Sequence, residues 1–215
     1  MKYIKLQSLI LPFLVTAKIS HAAVIVNGSF EDPVVTVGSY EAYGHASTSI
    51  TGWTVINQTA IVSGSASEGA ITWNAQIGNA WLDLTGENSI TSYGITQTIS
   101  TDIGQAYQLS FYVGSVTDGV NYFPSTVDLQ IGAGARIGYH NLNAPTTNLD
   151  WQQFTVDFTA TDSSTAISFY NGNTSYNNVS ALDNVSITTI PEPSVAGLAI
   201  LSLFAAKLIR RRQSD

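Results

Sequence analysis

Apolar and polar residues alternate with a period of two through the middle of this 215-residue chain. Tyr107, Leu109, Phe111 and Val113 fall on one side of an extended segment, and Gln108, Ser110 and Tyr112 on the other. That is the pattern of a strand with one buried face. Val127, Leu129 and Ile131 alternate with Asp128 and Gln130, and Phe154, Val156 and Phe158 with Thr155 and Asp157. Ile167 and Phe169 continue the theme, and Leu182, Val185 and Ile187 end it. Shorter strands are predicted over residues 23–26, 53–56, 81–84 and 95–99, punctuated by turn residues such as Asn27-Gly28 and Gly86. Residues 136–150, with Asn141, Asn143, Pro145 and Asn148, read as a long loop. No stretch between 23 and 190 has the periodicity of a helix longer than about three turns, and no repeat is evident. The pattern predicts an all-β fold, an antiparallel two-sheet β-sandwich.

The two ends depart from this pattern. Lys2 and Lys5 precede a mostly apolar run over residues 6–15, and Ser20-His21-Ala22 offers small residues for cleavage before Ala23. This is the layout of a signal peptide, a helix removed by signal peptidase. At the other end Pro191-Glu192-Pro193-Ser194 is followed by an apolar run over residues 195–206, then Lys207 and Arg210-Arg211-Arg212. The run carries no polar face, so it does not read as an amphipathic helix of a globular domain. It predicts a short hydrophobic helix whose arginines stay on the cytoplasmic side, with everything before Pro191 facing away from the cytoplasm. The expected organisation is a signal peptide at 1–22, a sandwich at 23–190 and a C-terminal signal at 191–215.

Pro191, Glu192 and Pro193, the apolar segment and Arg210, Arg211 and Arg212 together resemble the PEP-CTERM sorting signal of Gram-negative bacteria. The resemblance implies an exosortase-type membrane protease as partner. It also implies transient inner-membrane anchoring, then delivery to the cell surface or extracellular matrix.

Charge narrows the ligand classes. Residues 23–190 hold thirteen carboxylates, and Arg136 is their only Lys or Arg, whereas the whole chain carries −7. Nucleic acid is excluded, because nothing here neutralises phosphates, and anionic polymers are disfavoured. The chain has no cysteine, so stability must come from a packed core rather than disulfides. His45 and His140 alone do not build a histidine metal site.

The order of the pieces is informative too. Asn27-Gly28-Ser29-Phe30-Glu31 opens the domain and Gly52-Trp53 follows. Trp81-Leu82-Asp83-Leu84-Thr85-Gly86, Ile95-Thr96-Gln97-Thr98-Ile99 and residues 104–111 come next, and Leu182-Asp183-Asn184-Val185-Ser186-Ile187 closes it. This succession resembles the galactose-binding-like jelly rolls of carbohydrate-binding modules. The resemblance implies a structural Ca²⁺ held where the opening segment meets the last strand. The matching positions are Glu31 and Asp183, with Asn27 as a carbonyl donor. Oxygen ligands suit Ca²⁺; the other reading is that both carboxylates are satisfied by backbone amides.

Aromatic rings pack against the C–H faces of sugars. Trp73, Tyr93, Tyr122, Phe123, Tyr139, Tyr170 and Tyr176 lie outside the alternating pattern. Tyr122 and Phe123, and Tyr170 and Tyr176, sit near Asn121, Asn171, Asn173 and Asn177 and are the glycan-binding candidates. Ordinary partly buried rings are the alternative. Trp53 and Trp81, in strand-like stretches, read as core. The chain shows no G-x-S-x-G elbow, no H-E-x-x-H and no phosphate loop, and it reads as non-catalytic. Two functions stand: a surface or matrix protein that binds neutral extracellular polysaccharide, or a structural matrix protein without a small ligand.

Overall fold

A computed structural model describes residues 22–57, 59–63, 66–86, 93–175 and 177–191. The expected signal helix and C-terminal hydrophobic helix lie outside these residues, within which there is no helix. The strands are β1 (Tyr40–Tyr43), β2 (Thr54–Ile56), β3 (Thr59–Ser63), β4 (Ala66–Glu68), β5 (Ile71–Trp73), β6 (Ala80–Asp83), β7 (Gly94–Ser100), β8 (Ala106–Ser115), β9 (Ser125–Ile131), β10 (Ile137–Asn141), β11 (Asp150–Thr159), β12 (Ser164–Asn171) and β13 (Ala181–Thr189). One sheet runs β1-β3-β6-β13-β8-β11, a second runs β10-β9-β12-β7-β2, and β4 and β5 form a separate hairpin. Every ladder between these strands is antiparallel.

The strongest alternation in the sequence becomes the centre of the core. Tyr107, Leu109, Phe111 and Val113 of β8 are all fully buried. They share one hydrophobic cluster with Ile95 and Ile99 of β7, Val127 and Leu129 of β9, and Ile167 and Phe169 of β12. Phe111 meets Phe169 edge to face across the two sheets, with ring centroids 5.1 Å apart. Each such side chain contributes about 1.5–3 kcal/mol by leaving water, which is how a chain without cysteine holds two sheets together. Trp53 is core, as its strand context predicts. Its ring lies between Phe30 and Phe169, and its indole N–H donates to the carbonyl of Asn27.

The last strand carries a bulge. The register of β13 against β8 shifts between Asp183 and Ser186, and Asn184 takes φ 49°, a conformation asparagine tolerates better than most residues. The extra residue lets both Leu182 and Val185 face the core, although they are three positions apart. The Val185 N–H donates to the Gly28 carbonyl. A Cβ on Gly28 would lie 1.9 Å from the Val185 carbonyl oxygen, so only glycine lets the opening segment dock on the bulge.

Two expectations are corrected. Residues 23–26 are extended but form no strand; the Gln97 side-chain amide bonds both the N–H and the carbonyl of Val26 in place of a ladder. The expected loop at 136–150 contains β10, an edge strand paired with β9. With Ile137 exposed and Asn141 buried, its apolar pattern is that of a loop. β1, β4 and β5 were equally hidden, being short, and β1 is largely exposed.

Gly28→Ala is expected to cost about 1–3 kcal/mol through overpacking, lowering Tm by several degrees. Gly44→Ala, where a Cβ meets nothing within 4 Å, is expected to leave it near the parent value. Thermal melts of the two variants check this.

Candidate functional site: an aromatic pocket on the outer face

β6 sends its side chains to opposite sides. Leu82 enters the main core, while Trp81 belongs to a second cluster outside the six-stranded sheet. That cluster includes Ile71 and Trp73 of β5, together with Val116, Leu149, Val179 and Ala181. The β4–β5 hairpin is tied down by bonds between Thr72 and the backbone at Thr147 and Leu149. The rings are ordered by one another. Trp73 stacks on Trp81 at 6.0 Å with planes 17° apart. Tyr122 meets Trp73 edge-on at 5.0 Å, and Trp151 meets Trp81 edge-on while its indole N–H bonds the Asn74 carbonyl.

Above these rings opens a cavity of about 570 Å³. Trp73, Trp81 and Tyr122 line it, with Glu68 from the hairpin, Asp83 and Thr85 from the end of β6, and the amides of Asn121, Asn177 and Asn178. Tyr122 is held in place by its loop. Asp118 accepts bonds from the backbone of Val120 and Asn121 and from the Asn121 amide, and the Tyr122 N–H donates to the Asn177 carbonyl at 2.7 Å. Tyr122 itself adopts φ 71°, a strained setting of the kind that collects at binding sites.

Two features characterise the walls of the cavity. The indole N–H groups of Trp73 and Trp81 are buried with no hydrogen-bond partner. Each such orphan costs about 1–3 kcal/mol. The field is also negative. Burial, then the charges of Glu68 and Asp118, push the Tyr122 hydroxyl pKa up. Burial pushes Asp83 up to about 6, opposed by hydrogen bonds from Thr85.

The sequence candidates separate here. Tyr122 lines the cavity beside Asn121 and Asn177, whereas Phe123 is not among the lining residues. Tyr170 belongs to β12 of the other sheet, where Arg136 stacks on its ring at 3.3 Å and its hydroxyl donates to Gln130. Asn171 and Asn173 are buried and bond Ser180 and the nearby backbone. Tyr139 packs edge-on against Phe111 and Phe154. Tyr176 lies outside the described residues, as do Glu192, Pro193, Arg210, Arg211 and Arg212; of the sorting motif only Pro191 is described. Trp81, read from its strand context as core, is a buried ring that also lines the pocket. Asp83 and Glu68 lacked any motif to single them out.

Glu31 and Asp183 do meet at one place, the loop 76–80. Gln76 and Ile77 N–H donate to Asp183 Oδ2, Asn184 N–H donates to Oδ1, and Asn79 and Ala80 N–H donate to Glu31 Oε1. Glu31 passes over Gly78, where a Cβ would lie 2.3 Å from its Oε1. Asn27 is engaged elsewhere: its side chain bonds Asp32 and Thr51, and its carbonyl accepts from Phe30 and Trp53. A calcium ion asks for six to eight oxygens. Among the described residues no three His, Cys, Asp or Glu side chains converge, and both oxygens of Asp183 and one of Glu31 are taken by amides. As placed, the pair is a staple on the loop rather than a calcium cage.

Melting curves in Ca²⁺ and in chelator are accordingly expected to coincide. A chelator-dependent fall in Tm that disappears in Asp183→Ala would restore calcium at this pair. A pH dependence follows from the buried carboxyls. Burial raises Asp183 from 3.8 to about 7, above the opposing amide bonds, and Asp83 from 3.8 to about 6. A raised folded pKa means that the folded state keeps a proton the unfolded chain releases. The stability is therefore full below about pH 4 and lost as pH rises through 6 to 7. Tm is expected to be several degrees higher at about pH 5 than at about pH 8, and Asp83→Asn to flatten part of the slope.

No curated protein matches the chain. Among solved structures, a Stig cyclase, Fisc from Fischerella sp. TAU, in complex with (3Z)-3-(1-methyl-2-pyrrolidinylidene)-3H-indole, is similar at 20% identity. Its TM-score is 0.56, covering 80% of this chain and 99% of that one. The CBM22-1 xylan-binding domain from Paenibacillus barcinonensis Xyn10C matches at 15% identity and TM-score 0.43, over 74% of this chain and 99% of its own. A family 35 carbohydrate binding module from Clostridium thermocellum matches at 14% identity and TM-score 0.43, over 69% and 98%. At such identities the cyclase likeness is one of fold. The family model described as a protein of unknown function, DUF642, matches residues 23–188, and the chain therefore belongs to the DUF642 family.

Proposed function

We propose that this protein is an exported, non-catalytic glycan-binding sandwich that associates with extracellular polysaccharide. The observation that carries the reading is the pocket over Trp73, Trp81 and Tyr122. Its volume, about 570 Å³, lies in the range of small-ligand sites. Ring surfaces beside asparagine amides suit a pyranose, whose C–H face stacks while its hydroxyls exchange hydrogen bonds. The scarcity of basic residues between 23 and 190 argues against an anionic polymer and favours a neutral exopolysaccharide. Net affinity is modest, because sugar hydroxyls trade water bonds for protein bonds at little gain.

The address belongs to the same proposal. The signal peptide would be removed by signal peptidase and the tail from Pro191 by an exosortase-type protease, after transient inner-membrane anchoring in a Gram-negative bacterium. The mature protein would then sit at the cell surface or in the extracellular matrix.

Tyr122→Ala is expected to weaken retention on the cognate polysaccharide in a pull-down at least severalfold, with a small change in Tm, since the ring is only partly buried. Parent protein retained on no polysaccharide would shift the reading to a structural matrix protein without a ligand. Mass spectrometry of surface-associated material is expected to find a start near Ala23 and no peptide containing Arg210-Arg211-Arg212. An intact C-terminal peptide on exported protein would contradict the sorting step.

A further inference from the structure

Resting on the glycan-binding reading, we infer that the pocket takes a run of several sugar residues rather than a single ring, with Tyr40 as a second stacking platform at the edge of the sheet. Tyr40 is the first residue of β1, the edge strand of the six-stranded sheet. Two patterns place its ring on the outer face. Tyr43, three positions along the same strand, packs against the main core, so alternation turns Tyr40 the other way. The register agrees. Tyr40 is opposite Val62 of β3, and Val62 is opposite Trp81 of β6, so Tyr40 and Trp81 share one cross-strand row and one face. Both line the cavity. Trp81 is buried, whereas Tyr40 is 66% exposed. The Tyr40 ring therefore contributes little to the fold and is open to a ligand.

The two tyrosines stand at opposite ends of the site. Strand order on this side of the sheet is β1-β3-β6-β13, and Tyr40 marks the β1 end. Tyr122 is fastened to the segment leading into β13. Its N–H donates to the Asn177 carbonyl, it bridges to Asn178, and its carbonyl accepts from the Val179 N–H. Neighbouring strands lie about 4.8 Å apart, so three spacings put the two ends about 14 Å from one another. One sugar ring does not reach both. A chain does, with one residue stacked on each tyrosine. The side chains of Ser39, Ser67, Asn121 and Asn177 line the same cavity and can exchange hydrogen bonds with the hydroxyls along it. Among the described residues no strand lies beyond β1, so the site is open at the sheet edge, where a longer chain would continue.

The test is titration calorimetry of the protein with neutral probes of two lengths: the dimers and hexamers of β-1,4-linked glucose, xylose and mannose. In at least one series the hexamer is expected to bind more tightly than the dimer. Tyr40→Ala should shrink that gain about fivefold, the loss of one stacked ring, and Tyr40→Trp should restore it. Both variants should melt near the parent temperature, because the Tyr40 ring is mostly exposed. Tyr122→Ala, by contrast, should weaken dimer and hexamer alike. A parent protein that binds dimer and hexamer equally would overturn the extended site and leave glycan binding standing. So would a Tyr40→Ala protein that keeps the full gain with length. Binding of no oligomer would overturn the extended site as well, and glycan binding would then rest on polysaccharide retention alone.

Discussion

The bulge in β13 is the constraint on which both faces of this domain rest. One extra residue at Asn184 keeps Leu182 and Val185 in the core. It leaves Asp183 pointing out to hold loop 76–77, and it presents the Val185 N–H to the carbonyl of Gly28. The opening segment, the central strand of the larger sheet and the loop leading into β6 are thus locked at one point. Glu31, reaching from the opening segment to the backbone of Asn79 and Ala80, closes the same junction from the other side. Carboxylate-to-amide bonds fasten this junction in a chain that has no cysteine.

That junction also sets the site. β6 begins where the Glu31 bond ends, and its alternation decides which ring goes where: Leu82 inward, Trp81 outward. The larger sheet is therefore apolar on both sides over part of its area. A sheet face packed on a core usually has a wetted opposite face. Here the outer side is covered by the β4–β5 hairpin and the loop carrying Tyr122, and the covering is incomplete. The cavity is the part left uncovered, which is why it has aromatic surfaces and a polar rim.

The electrostatics follow from composition and placement together. An acidic domain with one arginine spends that arginine on the Tyr170 ring of the opposite sheet. Among the described residues that line the pocket, Glu68 and Asp83 are acidic and none is basic. Desolvation then lifts Asp83 and Asp183 toward neutral pH, so the carboxyls that organise the loops also carry the domain's pH sensitivity.

Strands with a wet side and a dry side were legible from the chain alone. β8, β9, β11 and β12 each show period-two alternation because one face meets the core, and that alternation is written in local sequence. The lack of cysteine and the acidic balance were equally plain. Tyr122 was visible as a loop aromatic among amides, and Glu31 and Asp183 as a pair at the junction of the first and last segments. What surrounds each of these was not. Trp81 has the local pattern of a core residue, and only the neighbouring hairpin shows that its outward face lines a cavity. Tyr122 and Tyr170 look alike in sequence, yet Tyr122 lies in the loop between β8 and β9 and Tyr170 in β12. Asn27 and Asp183 lie near one another in topology, but which oxygens are already bonded depends on the path of loop 76–80. Alternation reports whether a side chain is covered; what covers it is a contact between segments far apart in the chain, and only the tertiary structure decides it.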